Sequence, residues 1–476
     1  MFSFSFPVRA RTIVASVITL SWLCAVSHTT QAADNKKVWS FNSTVTTAQK
    51  NDPWLTGNKH QQQAVEAMSH AALSLPDPKV SVALANLPTD GFDFSQEGMT
   101  QLKVGITQMF PRGDSLTIKN QQLRIQSEAY PFQRSDREAK VAVTVGSLWL
   151  DTYNVQQSII LIEQNRSLFE QLADVAQASY SSTLGKTRQQ DIVRAQLELT
   201  RLDDRLDMLA QQQNAYLGRL SQWLSTAFIA NTTQVNMNEI GQLQHMKLAK
   251  QLPQLALLHN DLSNNHWLTV EELTPHFAKH PAVIALDKKI LATKTGINLA
   301  EQAYQAEWGI NASYGYRDDD AMGNSRADLF SVGVTFDLPL FTDNRQDMTV
   351  KSAVSATEAV KTEKILLLRR LLGAFSSAQG RLSRLNSRKT LYQTRLLPQV
   401  NDQAEASLTA YTNDDGSFSE VVISRIAVLN AEIAQLKIAV EQQKIILALN
   451  YLFVGSLAMN NTSANLQQTF AKREEK

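Results

Sequence analysis

The stretch VGITQMFPRG beginning at Val104 is nearly restated as VGVTFDLPLF beginning at Val332, 228 positions later (332 minus 104). Each is an alternating apolar run that stops on a proline. Pro53 and Pro281 keep the same spacing, and Val80, Val82 and Leu84 fall on Trp308, Ile310 and Ala312. Further on, Tyr180, Gly185 and Ile192 match Tyr411, Gly416 and Ile423 at an offset of 231 (416 minus 185), so the second copy has gained three residues. An internal duplication is therefore the organising feature: a first repeat over 33–240 and a second over 241–476. Two copies are too few for a solenoid and suit one unit used twice around an axis.

The alternation predicts strands at about 78–87 and 99–111 in the first repeat, and at about 306–317 and 328–339 in the second. Leu102, Val104 and Ile106 share one face while Lys103, Gly105 and Thr107 share the other. In the second repeat Trp308, Ile310, Val332 and Val334 oppose Asn311, Ser313, Thr335 and Asp337. Each run has about the nine to eleven residues that a tilted strand needs to cross a bilayer, with aromatic residues at its ends. A soluble sheet with one buried face produces the same period of two. If the strands are in lipid, four of them leave open edges whose unpaired backbone groups cost several kcal/mol each. Closure then requires oligomerisation, and three chains giving a twelve-stranded barrel satisfy it, with Lys103, Thr107, Asn311, Ser313, Thr335 and Asp337 lining the lumen. Pro111 and Pro339 mark the passage from strand to helix, since proline donates nothing to a sheet but suits a strand end or a first helical turn.

The remainder reads as helix. SDRE from Ser135 has the form of a capping box, Ser135 with Glu138, opening a helix that runs to about Tyr180. Val145, Leu148, Thr152, Val155, Ile159 and Ile162 step by three and four, as do Ile426, Leu429, Ile433, Leu436 and Val440. That period is a coiled-coil seam. Forty-five residues of helix span roughly 70 Å, too long for one compact domain. The chain is thus expected to be mixed α and β, mostly α, with long antiparallel helix hairpins turning near Gly185 and Gly416. Pro131 interrupts the first copy and Pro398 the second.

Residues 1–32 have the form of a signal peptide: Arg9 and Arg11, then the apolar TIVASVITLSWLCAV, then TTQA ending at Ala32. The only cysteine, Cys24, lies there, so the exported chain has no thiol chemistry; Leu23 before it is too bulky for a lipid-attachment signal. A net charge of +1 makes no electrostatic case for nucleic acid. LGKT at Leu184 lacks the first glycine of a phosphate loop, its place being taken by Tyr180. The acids of RDDDAMGN at Arg317 are contiguous rather than spaced as in a calcium loop. Of His245, His259, His266, His276 and His280 only the last two stand four apart, a single pair with no third ligand in spacing, and no metal site is expected. No catalytic motif is present, and neither an enzyme nor a cofactor is expected.

In this order and duplicated, LPDPKVSVAL from Leu75, VGITQMFPRG from Val104, YSSTLGKTRQQDIVRAQLEL from Tyr180, HPAVIALDKKI from His280 and VGVTFDLPLF from Val332 resemble the TolC family of outer-membrane efflux proteins. LPDP followed by a Q-x-F-P strand end is most similar to the branch serving heavy-metal pumps of the resistance-nodulation-division class. The resemblance implies a homotrimer in the outer membrane of a Gram-negative bacterium, its barrel continuous with a periplasmic α-helical coiled-coil barrel. It implies two partners, a periplasmic adaptor and an inner-membrane pump, and passive export. It places Leu184, Gly185, Lys186 and Thr187 at one adaptor-docking tip and Asp415, Gly416 and Ser417 at the other; so tight a turn between helices is expected to put each glycine in, or next to, a left-handed conformation. Asp191, Glu420 and Arg425 stand as periplasmic gate candidates, although Val422, Ile423 and Arg425 depart from an acidic ring. The exit duct of a type I protein-secretion system is the alternative within the family, and a periplasmic coiled-coil scaffold the alternative outside it.

Overall fold

The structure, a computed structural model, describes residues 38–181, 188–226, 243, 246–257, 268–413 and 415–455. The signal segment, residues 184–187 of the first tip, and His245, His259 and His266 lie outside the described residues.

Four strands form one antiparallel sheet: β2 (Lys79–Ala85), β3 (Gln101–Phe110), β5 (Trp308–Tyr316) and β6 (Leu329–Phe336), in the order β2-β3-β5-β6. Each half of the chain supplies one hairpin, and the hairpins join through β3 and β5, where Val104 faces Tyr314 and Phe110 faces Trp308. Stacked rings close both ends of that junction, Phe110 on Trp308 (4.2 Å between centroids) and Phe94 on Tyr316 (6.4 Å). Beyond the strands, Arg317 donates to the Gly98 carbonyl (3.1 Å) and Arg326 to that of Glu97 (3.2 Å), tying the two hairpin loops together. A second, two-stranded parallel sheet pairs β1 (Val38–Trp39) with β4 (Lys247–Leu248).

Pro111 directly follows β3, and α3 (Ser115–Ser127) begins four residues later. Pro339 departs from the expectation. It lies three residues beyond β6 and seven before α8 (Gln346–Leu391), so the second strand-to-helix passage is an irregular segment rather than a direct junction.

The helices are as long as their seams demand. α4 (Ala129–Ser181) has 53 residues, about 80 Å of helix. It turns back into α5 (Gln189–Leu224). α8 passes through a π-helical turn at Tyr392–Leu396 into α9 (Leu397–Thr412), which turns back into α10 (Phe418–Leu452). The π turn ends beside Pro398, whose missing N–H breaks the regular ladder there. The expected start of α4 at Ser135 is corrected: the helix opens at Ala129, with Pro131 in its first turn, where a proline costs no hydrogen bond. The SDRE tetrad therefore lies within the helix. α1 (Phe41–Lys50), α2 (Pro53–Ala71), α6 (Val270–Ala278) and α7 (Pro281–Glu301) complete the helical part.

Polar rungs fix the registers. Arg205 donates to Asn430 (2.7 Å) and Arg194 to Ser419; both pairs are 225 residues apart, which requires α5 and α10 to run in the same direction. α10 packs on α4, α8 and α9. It accordingly buries more than its predicted seam, including Val421, Val422, Ile438, Ile445 and Leu449. A helix apolar around most of its circumference is one covered on several sides. Toward the hairpin tips Ile162, Phe169, Ile192, Leu202, Phe418 and Leu429 make one cluster. Nearer the middle of the chain's long axis, Trp149, Leu217, Leu220 and Val440 join the β1–β4 pair in another.

Candidate conduit wall and helix-hairpin tips

The register sorts most strand residues by polarity, the departures being Gln108 on the apolar face and Met109 and Leu329 on the polar one. Val82 lies opposite Val104, Val104 opposite Tyr314, Tyr314 opposite Phe330, and Ala312 opposite Val332, all on one face. On the other face Thr107 lies opposite Asn311 and Asn311 opposite Gly333, while Ser313 faces Gly105 and Ser331, and Thr335 faces Gly309. Lys103 is on this polar face, opposite Ala83 and Gly315. Five of the six expected lumen residues thus share one face, with Val104, Ile106, Trp308, Val332 and Val334 on the opposite one.

Asp337 is the exception. It stands one residue beyond β6, where its carboxylate accepts the Glu307 N–H (2.7 Å) and pairs with the Arg112 guanidinium. Those two donors hold the Asp337 carboxyl below the usual carboxylate range. Its role is to lock the strand ends to the helical part through Arg112, which also donates to the Gln305 carbonyl (2.7 Å). Arg112 is a functional candidate the sequence reading passed over; its place directly after Pro111 was the available signal.

Neither face of the sheet is covered. Val80 and Val82 are each 68% exposed, Phe330 72% and Val332 64%. A soluble sheet with an alternating pattern buries its apolar face on a core. Here the apolar face is the open one. All four strand glycines (Gly105, Gly309, Gly315, Gly333) lie on the polar face, where added side chains would run into Ser81, Met109, Gln101 and Asn311 respectively.

At the far end of the helices a cleft of about 730 Å³ lies between the start of α5 and the second tip. Arg188, Asp191 and Arg194 line it from α5, and Tyr411, Gly416 and Ser417 from the other hairpin. Asp191 accepts the Arg188 N–H (3.0 Å) and so caps α5, where the helix dipole favours a negative charge. Ser417 caps α10 by accepting the Glu420 N–H (3.3 Å). Arg425 pairs with Glu405 (2.8 Å), so of the three gate candidates Asp191 alone lines the cleft.

Gly416 corrects an expectation. Its φ is not positive; among the described residues only Gly113 and Gly323 are glycines of that kind. The reason for glycine is proximity. A Cβ there would stand 2.8 Å from the Tyr411 nitrogen and 2.9 Å from the Ala410 Cβ, at a turn closed by the Asp415 N–H donating to the Ala410 carbonyl (2.9 Å).

The motifs set aside on sequence grounds have structural roles. Asp320 accepts from Met322 N (2.8 Å) and from Asn324 N (2.8 Å) and Nδ2 (3.0 Å), folding its own loop. His280 is fully buried as the N-cap of α7, its Nδ1 accepting the Ala282 N–H (3.3 Å), and burial lowers its pKa. His276 packs its ring on Phe453 (5.3 Å).

No protein-family model matches the chain, and no curated protein sequence does. Solved structures do. The Campylobacter jejuni CmeC outer membrane channel is similar with a TM-score of 0.68 at 11% identity, covering 87% of this chain and 85% of that one. The outer-membrane channel OprN gives 0.68 at 13% identity, covering 87% and 90%. The outer membrane protein VceC from Vibrio cholerae gives 0.66 at 12% identity, covering 87% and 95%. At such identities the likeness establishes the fold. This chain has the fold of outer-membrane channels, and the neighbours so titled are conduits rather than enzymes.

Proposed function

We propose that this protein is the outer-membrane exit duct of a three-part export machine. The observation that carries the proposal is the four-stranded sheet with its apolar face exposed and with β2 and β6 as unpaired edges among the described residues. Three copies joined edge to edge make a twelve-stranded barrel, satisfy every strand edge and give the apolar face to lipid. Residues 1–32 direct export, and the repeats 33–240 and 241–476 each supply one hairpin of strands and one of helices. The helices continue the barrel across the periplasm and end at tips that meet a periplasmic adaptor, with an inner-membrane pump of the resistance-nodulation-division class beyond it. Within this reading Lys103, Thr107, Asn311, Ser313 and Thr335 line the lumen, and Asp191 stands at the periplasmic opening. The narrower heavy-metal assignment rests on LPDP and Q-x-F-P alone. No described feature of the wall adds to it.

Chemical crosslinking of detergent-extracted outer membranes is expected to give a three-chain species that resists heating. A strictly monomeric, water-soluble mature protein would remove the barrel.

The tips carry a second expectation. Gly416→Leu forces a side chain against the Tyr411 backbone and fills the cleft, yet touches little of the packed core. Trimer yield should stay near normal while adaptor affinity falls about tenfold or more, the equivalent of roughly 1.4 kcal/mol. Pull-down with the adaptor alongside export-dependent resistance checks this. Full export by the variant, or loss of export only through failed assembly, would exclude the tips as the docking surface.

A further inference from the structure

We propose that the barrel wall favours anions, so that the ions this duct suits are negatively charged rather than bare metal cations. The inference rests on the duct reading and goes beyond it to the class of cargo.

The four strands of the sheet contain two charged side chains, Lys79 and Lys103, and no carboxylate. The register puts both on the polar face: Lys79 lies opposite Thr107, and Lys103 opposite Ala83 on the same pair of strands. Four residues of strand separate their levels, about 13 Å at roughly 3.3 Å per residue. Both lysines are exposed, and neither has an ion pair among the described residues. Strand side chains reach one face or the other, so a lysine on the lipid face would carry a depth-dependent cost. In the proposed barrel the apolar face is given to lipid, so the polar face, with both ammonium groups, is given to the lumen.

Three chains therefore set six lysines around the conduit, three at each of two levels, with no opposing charge on the wall between them. A narrow aqueous path with low-dielectric walls and one sign of charge focuses the field along its length, and rings of basic side chains select for anions. The competing charges are the carboxylates beyond the strand ends, of which Asp337 and Glu307 at one end share the Arg112 guanidinium, while others belong to the loops at the other. Asp90 accepts from Gln96 (3.0 Å), Asp93 from Ser95 (2.9 Å) and Asp320 from Asn324, so several are turned into their own loops. Charges at an open mouth are also screened within about 8 Å at physiological ionic strength. The wall lysines, held inside the conduit, are screened less.

The test uses the full-length trimer in planar lipid bilayers under a KCl gradient. The reversal potential should show a several-fold preference for chloride over potassium. The double variant Lys79→Gln and Lys103→Gln should bring the ratio near parity, and Lys103→Glu should favour potassium. A second readout does not depend on the helical end being open. A fluorophore on Asn311→Cys, in a mature chain without other cysteines, should be quenched more strongly by iodide than by caesium added outside. That bias should vanish in the lysine double variant. A cation-selective wild type, or selectivity and quenching unmoved by the lysine substitutions, would overturn the proposal while leaving the duct intact. Inserted trimers that pass no current and leave the label unquenched by either ion would overturn the duct itself and the proposal with it.

Discussion

Replacing Val332 with arginine should abolish outer-membrane assembly, whereas the same change one residue earlier, Ser331→Arg, should be tolerated. Val332 sits in the middle of β6 opposite Ala312, on the apolar face, and is 64% exposed within the single chain. In the proposed barrel that exposure would be to hydrocarbon. An arginine near the bilayer midplane of such a barrel costs about 2–4 kcal/mol, and in the proposed trimer three chains would carry it, roughly 6–12 kcal/mol in all. Ser331 is opposite Ser313 on the polar face, where an arginine reaches water. The two variants share strand and added charge and sit one residue apart on opposite faces. The measurement is the amount of heat-resistant oligomer in the outer-membrane fraction, read on unheated against heated gels. Equal assembly of both variants would show that the sheet does not face lipid on this side.

That contrast rests on information the sequence already held. A period of two repeated over four runs determines which residues share a face, because a slip of one residue would invert the whole set. The strand positions and the polar-face candidates followed from it. The order of the strands did not. Each hairpin was legible by itself, but the pairing of β3 with β5 is a long-range contact with no local signature. The seams of the long helices were readable for the same reason as the strands, although α10 shows where a seam understates burial: Ile445 and Leu449 are buried by a third neighbour.

The limits of the duplication are equally physical. Ile192 and Ile423 correspond by sequence offset, yet Ile192 is 9% exposed and Ile423 51%. Val421 and Val422, at 0% and 1%, are buried instead, because α10 is covered on several sides where α5 is not. At the tip, glycine was legible as a requirement but its cause was not, since close approach and positive φ call for the same residue. The start of α4 was misplaced because a serine three residues before a glutamate means a cap only at a helix end. Nothing local showed that Pro131 stands in the first turn. The parallel pair β1–β4 has two residues per strand, too few for any periodicity, and its place is set by an indole.

That indole carries the largest stability effect expected of a single truncation. Trp149 is fully buried; its ring stacks on Tyr153 (5.4 Å) and meets Phe41 edge to face (5.8 Å). Its Nε1–H donates to the Trp39 carbonyl (3.2 Å), which also accepts the Ala249 N–H (3.1 Å). One side chain of α4 thus holds β1 and, through it, the segment carrying β4, while Tyr153 donates to the Lys250 carbonyl (3.1 Å) and secures the same segment. Trp149→Ala should cost about 3–5 kcal/mol per chain through lost contacts and the cavity left behind. Trp149→Phe keeps a ring in the cluster and loses one hydrogen bond, net about 0.5–1.5 kcal/mol. The Trp39 carbonyl is not orphaned in that variant, because Ala249 still donates to it. For the proposed membrane trimer, heat unfolding is expected to be irreversible, so the appropriate measure is its half-life at a fixed elevated temperature. Limited proteolysis of the segment around Lys247 supplies a local readout. The order expected is wild type, then Trp149→Phe, then Trp149→Ala, with cleavage near β4 rising in the last. An alanine variant as durable as the phenylalanine one, with the segment still protected, would mean that β1 and β4 are held by their own pairing and by Tyr153 rather than by the indole.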